Sequence, residues 1–190
     1  NRSAVLSSGV QDVAMLLAGD FQRNDVLRII LETMYRAMRF KRVLLCVRDP
    51  QRNALRARFG FGEDADAIVR AGFAVPMQGP PDVFLAATAN GADICIEDID
   101  ADNIRMHVPG WYRQAIPARA MVLFPMMVKG RAVGLIYADS DRPGSLEFKP
   151  EELNLLRTLR SHELVEEVGR LEQAGRPILY ATTFQVLRYF

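Results

Sequence analysis

The sequence predicts an α+β protein built on an antiparallel sheet with helices on its faces. Three observations predict it. Short apolar or alternating runs come in pairs joined by tight, turn-rich links, as in "RVLLCVRD" and "ALRARFGF" around "DPQRN", and "AMVLFPMMV" and "AVGLIYAD" around "KGR". Links that short join neighbouring antiparallel strands, because a parallel crossover needs a dozen residues or more. Helical periodicity is concentrated near the start of the chain and again after Lys149, leaving the strands between them to pair.

Residues 10–18 ("VQDVAMLLA") and 24–38 ("NDVLRIILETMYRAM") are read as the first two helices. In the second, Val26, Leu27, Ile30, Leu31, Met34 and Met38 recur at spacings of three and four, one buried stripe, and Asn24 suits the N-cap. The hairpin 42–61 follows, then a short strand in "FAVPM". The run "PDVFLAATANG" opens on Pro81 and closes on Asn90-Gly91, a helix with its own start and stop signals. The run "ADICIEDI" alternates like a half-buried strand, and residues 100–118, with Pro109, Gly110 and Pro117, are read as irregular. The second hairpin and the loop "SDRPGSLEF" lead to a helix at "KPEELNLLRTLR", where Pro150 suits the first turn and Glu151 and Glu152 suit the helix dipole.

The totals bound the function. A chain of 190 residues, 49% hydrophobic and 25% charged, suits one domain with a real core, or one plus an appendage. With 24 basic and 23 acidic residues the net charge is +1, which argues against a nucleic-acid surface that works by charge alone. Two cysteines, each inside an apolar run, make neither a disulfide framework nor a metal pair, and point to a reducing, cytoplasmic setting. No apolar run reaches membrane-spanning length, and the first residues lack a signal-peptide pattern.

The stretch from Ala118 to Ser161 resembles the second half of a GAF domain: a strand with Pro125, a turn at Gly130, a strand with Gly134 near its start, then Phe148 and an acidic helix start at Glu151-Glu152. The earlier elements follow the same order, so the resemblance spans about residues 8–161. The long N-terminal helix and "FGFGED" are also similar to GAF regions attached to HDOD domains in bacterial signalling proteins. The resemblance implies a profilin-like, PAS-related sheet of six antiparallel strands. It puts the terminal helices, a common dimer surface, on one face, and helix 81–90 with residues 100–118 on the other, closing over a small-molecule pocket. It further implies a sensory or regulatory module that is not an enzyme.

The C-terminal run departs from that pattern. At about 100° per residue, the apolar direction of Leu153, Leu155, Leu156 and Leu159 differs by roughly 135° from that of Leu164, Val165, Val168 and Leu171. One helix keeps one buried face, so either the helix changes partner or a new unit begins near His162. The run "ELVEEVGRLEQAGRPILYATTFQVLRYF" resembles the winged-helix end of segregation and condensation protein B, with a wing strand, its partner "PILYATT", and a short helix that Thr183 caps. Residues 1–161 are therefore expected to form the GAF-like domain, and 162–190 a hairpin-like appendage. This carries a rival reading, a protein-interaction or chromosome-segregation adaptor.

The residues that could touch a ligand are Cys95, Asp98, Arg105, Trp111, Tyr112 and Tyr137. Cys95 alternates with Ile94 and Ile96, and is expected on the pocket side as a ligand contact or redox sensor; Cys46, mid-strand, is expected to be an inert core thiol. The segment "HVPGWYRQ" places the single Trp beside Tyr112, with Arg105 and Arg113 near, in the stretch that would cover the pocket. Aromatic walls with a few polar groups suit a small ligand, and an arginine suits a phosphate or carboxylate; equally, Trp111 could simply plug the face of a ligand-free domain. His107 with Asp98, Asp100 and Asp102 matches no tight metal motif and reads as an acidic solvated loop. Arg36, Arg39, Lys41 and Arg42 read as a solvated helix end. Some GAF-like proteins reduce methionine sulfoxide with several cysteines, which leaves a thiol redox enzyme as a further rival; this chain has two, at positions that do not match. Neither a bilin-attachment context nor the family's cyclic-nucleotide signature is present, and no cofactor is indicated.

Overall fold

The computed structural model describes residues 1–17, 23–159 and 185–189. Helices α1 (Arg2–Leu17) and α2 (Arg23–Met38) lead into strands β1 (Arg42–Asp49) and β2 (Ala54–Gly62). Helix α3 (Ala65–Arg70), strand β3 (Ala74–Pro76), helix α4 (Val83–Asn90) and strand β4 (Ala92–Ile96) follow. A 3₁₀ turn at Arg105–His107 and helix α5 (Gly110–Ala115) precede β5 (Ala120–Val128), β6 (Arg131–Ser140), α6 (Pro150–Leu159) and β7 (Gln185–Tyr189). The strands lie in the order β3-β2-β1-β6-β5-β4-β7. The first six pair antiparallel throughout, the expected curved GAF-type sheet.

Local chemistry accounts for most boundaries. The β5–β6 hairpin closes through two residues, Lys129 (φ 49°) and Gly130 (φ 75°), with Val128 opposite Arg131. Two consecutive left-handed residues make the primed turn that matches strand twist, so Arg131 belongs to the strand and not to the link. Asp82 caps α4 by accepting from the Leu85 N–H at 2.9 Å, and Gly91 ends it in the left-handed region. Glu152 reaches back to the Lys149 N–H at 3.0 Å, half of a capping box, with Pro150 at the first helical position.

Two apolar layers sandwich the sheet. Leu6 of α1, the α2 stripe Leu27, Ile30, Leu31, Met34 and Met38, and Leu156 of α6 cover one face, meeting Val43, Leu45, Val122, Phe124 and Ile136. Ile68 of α3, Phe84 and Ala87 of α4, and Ile99, Ile104, Val108, Tyr112 and Ile116 from the long connection cover the other, over Leu44, Cys46, Leu123, Leu135 and Tyr137. Strands β1, β4 and β5 alternate between the layers, as the period of two requires, while β2 and β6 each change phase at a register shift, so that Ala57 and Phe59, or Val133 and Leu135, join opposite layers.

Four features differ from expectation. Helix α1 begins at Arg2 rather than near residue 10, and α3 forms in a stretch given no element from sequence. The connection 100–118 contains the 3₁₀ turn and α5, because Ile104, Val108, Tyr112 and Ile116 recur at four-residue spacing and bury together. Residues 185–189, expected to begin a helix, form a strand that pairs parallel with β4, Ala92 opposite Gln185 through Ile96 opposite Tyr189. That pairing satisfies the backbone edge that β4 otherwise leaves open. The proposed strands at 164–170 and 177–183, His162 and the 161/162 boundary lie outside the described residues.

Gly62 has φ +105°, and a Cβ there would lie 2.2 Å from the Lys41 carbonyl oxygen. Backbone atoms on the paired strand cannot step aside as a flexible side chain can. Gly62→Ala is expected to lower stability by about 2 kcal/mol or more, read by chemical denaturation.

Candidate functional site

The face under residues 99–118 is walled by aromatic rings. Trp111, half-buried, stacks obliquely on Phe84 at 4.9 Å between centroids and on Phe73 at 6.0 Å. Tyr112, fully buried, packs 5.2 Å from Phe84 and 5.9 Å from Tyr137. Successive residues of one short helix thus serve two ends of the wall, Trp111 at its rim and Tyr112 at its floor.

A chain of polar groups runs along that floor. Tyr112 Oη and Tyr137 Oη are 2.8 Å apart, and Tyr137 donates to Asp139 Oδ2 at 2.5 Å. Because Tyr137 spends its proton on Asp139, Tyr112 is the donor to Tyr137. Arg42 Nη1 lies 3.5 Å from the same Asp139 oxygen, and both side chains are 0% exposed. Arg42 faces Asp139 in the register of β1 and β6, and each shares the parity of its strand's pocket-side residues, Leu44 and Cys46 in one case, Leu135 and Tyr137 in the other.

The pair is incompletely satisfied. Arg42 Nε, Nη1 and Nη2 and Asp139 Oδ1 have no hydrogen-bond partner among the described residues. A bidentate arginine–carboxylate bridge would use two parallel N–H···O bonds near 2.8 Å; here one oxygen sits at 3.5 Å and the fork is unused. The consequence shows in the carboxyl. Burial pushes Asp139 up from the usual carboxylate range to about 7, outweighing the opposing hydrogen bond from Tyr137 and the attraction of Arg42 and Lys41. Burial likewise pushes both tyrosine hydroxyls well above their ordinary value, so they stay neutral donors.

An ionic latch holds the wall in place at its open end. Arg113 of α5 donates to Asp100 Oδ1 at 2.7 Å and to the Ile99 carbonyl at 2.8 Å. Arg119 approaches Asp100 at 3.1 Å and Asp98 at 3.4 Å. These contacts are partly exposed and each is worth about 1 kcal/mol or less, so the segment is held chiefly by the burial of Ile104, Val108, Tyr112 and Ile116.

Of the residues singled out from sequence, Trp111, Tyr112 and Tyr137 are brought together. Asp98 lies at the rim, bound into the latch. Arg105 is exposed and paired with Asp102 at 3.5 Å, away from the floor. Cys95 points the other way from the expectation: it lies in the helix-side layer, its Sγ donating to the Leu146 carbonyl at 3.4 Å, while Ile94 and Ile96 face the aromatic wall. Alternation established that Cys95 opposes its neighbours, and only the packing decided which side each took. Arg42, read as part of a solvated helix end, is instead fully buried. Sequence reasoning missed Arg42 and Asp139; the one signal available was a charge at the matching position of two apolar strands.

Cys46 and Cys95 stand on opposite faces of β1 and β4, with β6 and β5 between them. At the nominal strand spacing their backbones are about 14 Å apart, twice the reach of a disulfide. Burial pushes the Cys46 thiol up to about 12, which suppresses the reactive thiolate.

The GAF domain model matches residues 22–162, most of the chain. This chain belongs to the GAF domain family. The fold is shared with the GAF domain of a Coxiella burnetii phosphoenolpyruvate-protein phosphotransferase (TM-score 0.70, 11% identity, 93% of this chain and 100% of that one). It is shared also with the corresponding Acinetobacter domain (TM-score 0.68, 13% identity, 91% and 95%). A free methionine-R-sulfoxide reductase from Neisseria meningitidis has the same fold at TM-score 0.61 and 18% identity, covering 90% of this chain and 93% of that one. Separately, 35 residues are 57% identical to segregation and condensation protein B of Geobacillus thermodenitrificans (strain NG80-2), 18% of this chain and 17% of that protein. The chain thus spans about a sixth of the length of that relative. It is the family whose pattern residues 163–190 resemble. GAF homologues are sensory and regulatory modules of signalling proteins, and among the described residues no helix is long and apolar enough to cross a membrane.

The Asp139 carboxyl has a testable consequence for stability. Between the unfolded value near 4 and the folded value of about 7, the native state holds a proton that the unfolded chain has lost. The stabilisation from this group is complete below that window and lost as pH rises through it, by at most about 1.4 kcal/mol per pH unit. Thermal or denaturant unfolding should show this decline, and Asp139→Asn should flatten it whatever its effect on absolute stability.

Proposed function

We propose that this GAF domain is a non-catalytic sensory module that takes a small ligand on the aromatic-walled face above Arg42 and Asp139. The single observation that carries the reading is the buried Arg42 guanidinium whose nitrogens meet no hydrogen-bond acceptor among the described residues. Leaving such a group unsatisfied costs several kcal/mol, and a ligand that supplies acceptors recovers it. Trp111, Tyr112 and Tyr137 then serve as wall and donors. Admitting a ligand requires α5 to shift against the Arg113 and Arg119 contacts and against its own buried side chains, Tyr112 above all, and the state of that segment passes to the sheet and on to the terminal helices. Those helices, α1, α2 and α6, are the surface through which we expect two copies to pair. Two reduced cysteines fit a cytoplasmic setting.

A second reading is favoured by the 35-residue match to segregation and condensation protein B: the C-terminal region, residues 162–190, recruits a partner protein while its strand β7 stays paired with β4. A thiol redox enzyme is the weakest account, given the separation of Cys46 and Cys95.

Intrinsic fluorescence of the single tryptophan is a built-in reporter. A metabolite library screened by thermal shift is expected to yield compounds that raise Tm and also shift Trp111 emission. Stabilisation without a change at Trp111, or no stabilisation by any compound, defeats the sensory reading at this face. Removing residues 162–190 is expected to leave that response intact; its loss would favour a structural role for the tail. Under oxidising conditions, electrophoresis should show no intramolecular Cys46–Cys95 disulfide.

A further inference from the structure

The floor of the aromatic site has a charge composition that selects among ligands. Arg42 contributes one fixed positive charge with an unused planar fork, and Asp139 faces it at 3.5 Å. Tyr137 and Tyr112 add hydroxyls linked by bonds of 2.5 and 2.8 Å, and the walls are the rings of Phe73, Phe84 and Trp111. A planar anion matches the chemistry of the fork in the bidentate manner, and an apolar body matches the rings, once α5 moves to make room. A dianionic phosphate is poorly matched, since one buried cation leaves one of its charges without a counterpart.

An anion beside Arg42 also stands beside Asp139, and two carboxylates sharing one guanidinium in a water-excluded site repel. The charged or titratable groups around Asp139 are Arg42 and Lys41 at the start of β1, Tyr137 on its own strand, and Tyr112 from α5. Burial keeps both tyrosine hydroxyls neutral, so Asp139 is the group that can give way. Its carboxyl, held near 7 by burial, reaches the neutral form at little cost.

Resting on the sensory reading above, we infer that this site recognises a small monocarboxylate with an apolar or aromatic body, Arg42 being its counter-ion, and that one proton from solvent enters with it to neutralise Asp139. The complex is then one cation with one anion. Arg42 Nη1 and Nη2 donate to the ligand carboxylate, and protonated Asp139 donates to it or to Tyr137. The site reports carboxylate concentration and acidity together.

The test uses the full chain with benzoate, phenylacetate and butyrate, each against its neutral amide. Titration calorimetry in two buffers of different ionisation enthalpy counts protons, and Trp111 emission confirms the location. The carboxylates should bind in preference to their amides with uptake of up to one proton. Their affinity should rise up to about 30-fold from about pH 8.5 to about pH 6, a range in which these ligands stay ionised. Asp139→Asn should bind benzoate with no pH dependence, and Arg42→Gln should lose binding. If Arg42→Gln does not fold, the proton count and Asp139→Asn still decide. Amides binding as tightly as carboxylates, or binding without proton uptake, would overturn the inference and leave the sensory reading standing. If no carboxylate, amide or library compound perturbs Trp111, both fall.

Discussion

A sheet covered on both faces has no inexpensive place for a charge, and that constraint organises this molecule. Strands β1, β5 and β6 run between two apolar layers, so nearly every side chain on them is buried. Arg42 and Asp139 are the charged side chains buried among them. They are tolerated because antiparallel register sets them opposite each other, on the same face. A shift of one residue between β1 and β6 would separate them and put one charge among the helices. The pair therefore works against slipped registers, while its incomplete geometry leaves hydrogen-bonding groups unused among the described residues.

The same constraint is met differently in the two layers. The helix layer is built from long side chains at regular spacing, Leu27, Ile30, Leu31 and Met34 against Val122, Phe124 and Ile136. The other layer is assembled from short helices and turns, equally buried but tied to the sheet by few regular backbone bonds across residues 99–118.

Much of the architecture was legible locally. Turn residues announced the hairpins, cap residues announced α4 and α6, and the α2 stripe announced which way that helix faces. The candidate site was legible only in part. "HVPGWYRQ" stood out because aromatic residues gathered in a polar, irregular stretch, and Tyr112 and Trp111 do build the wall. Arg42 could not be distinguished from Lys41 and Arg39 beside it, because a cation at a helix-to-strand junction is ordinarily solvated. Cys95 was assigned to the wrong layer because alternation is a relative rule: it separates neighbours and leaves the choice of face to the packing.

By itself the sequence determined most of the element order and the antiparallel pairing, since periodicity, turn chemistry and short links act within a few residues of one another. Tertiary structure alone decided which layer each strand residue joined, that the 100–118 connection winds into α5, and that Arg42 meets Asp139 from 97 positions away in the chain. Those outcomes depend on which surfaces meet across the sheet. No local pattern encodes that, because burial is a property of what arrives from elsewhere in the chain.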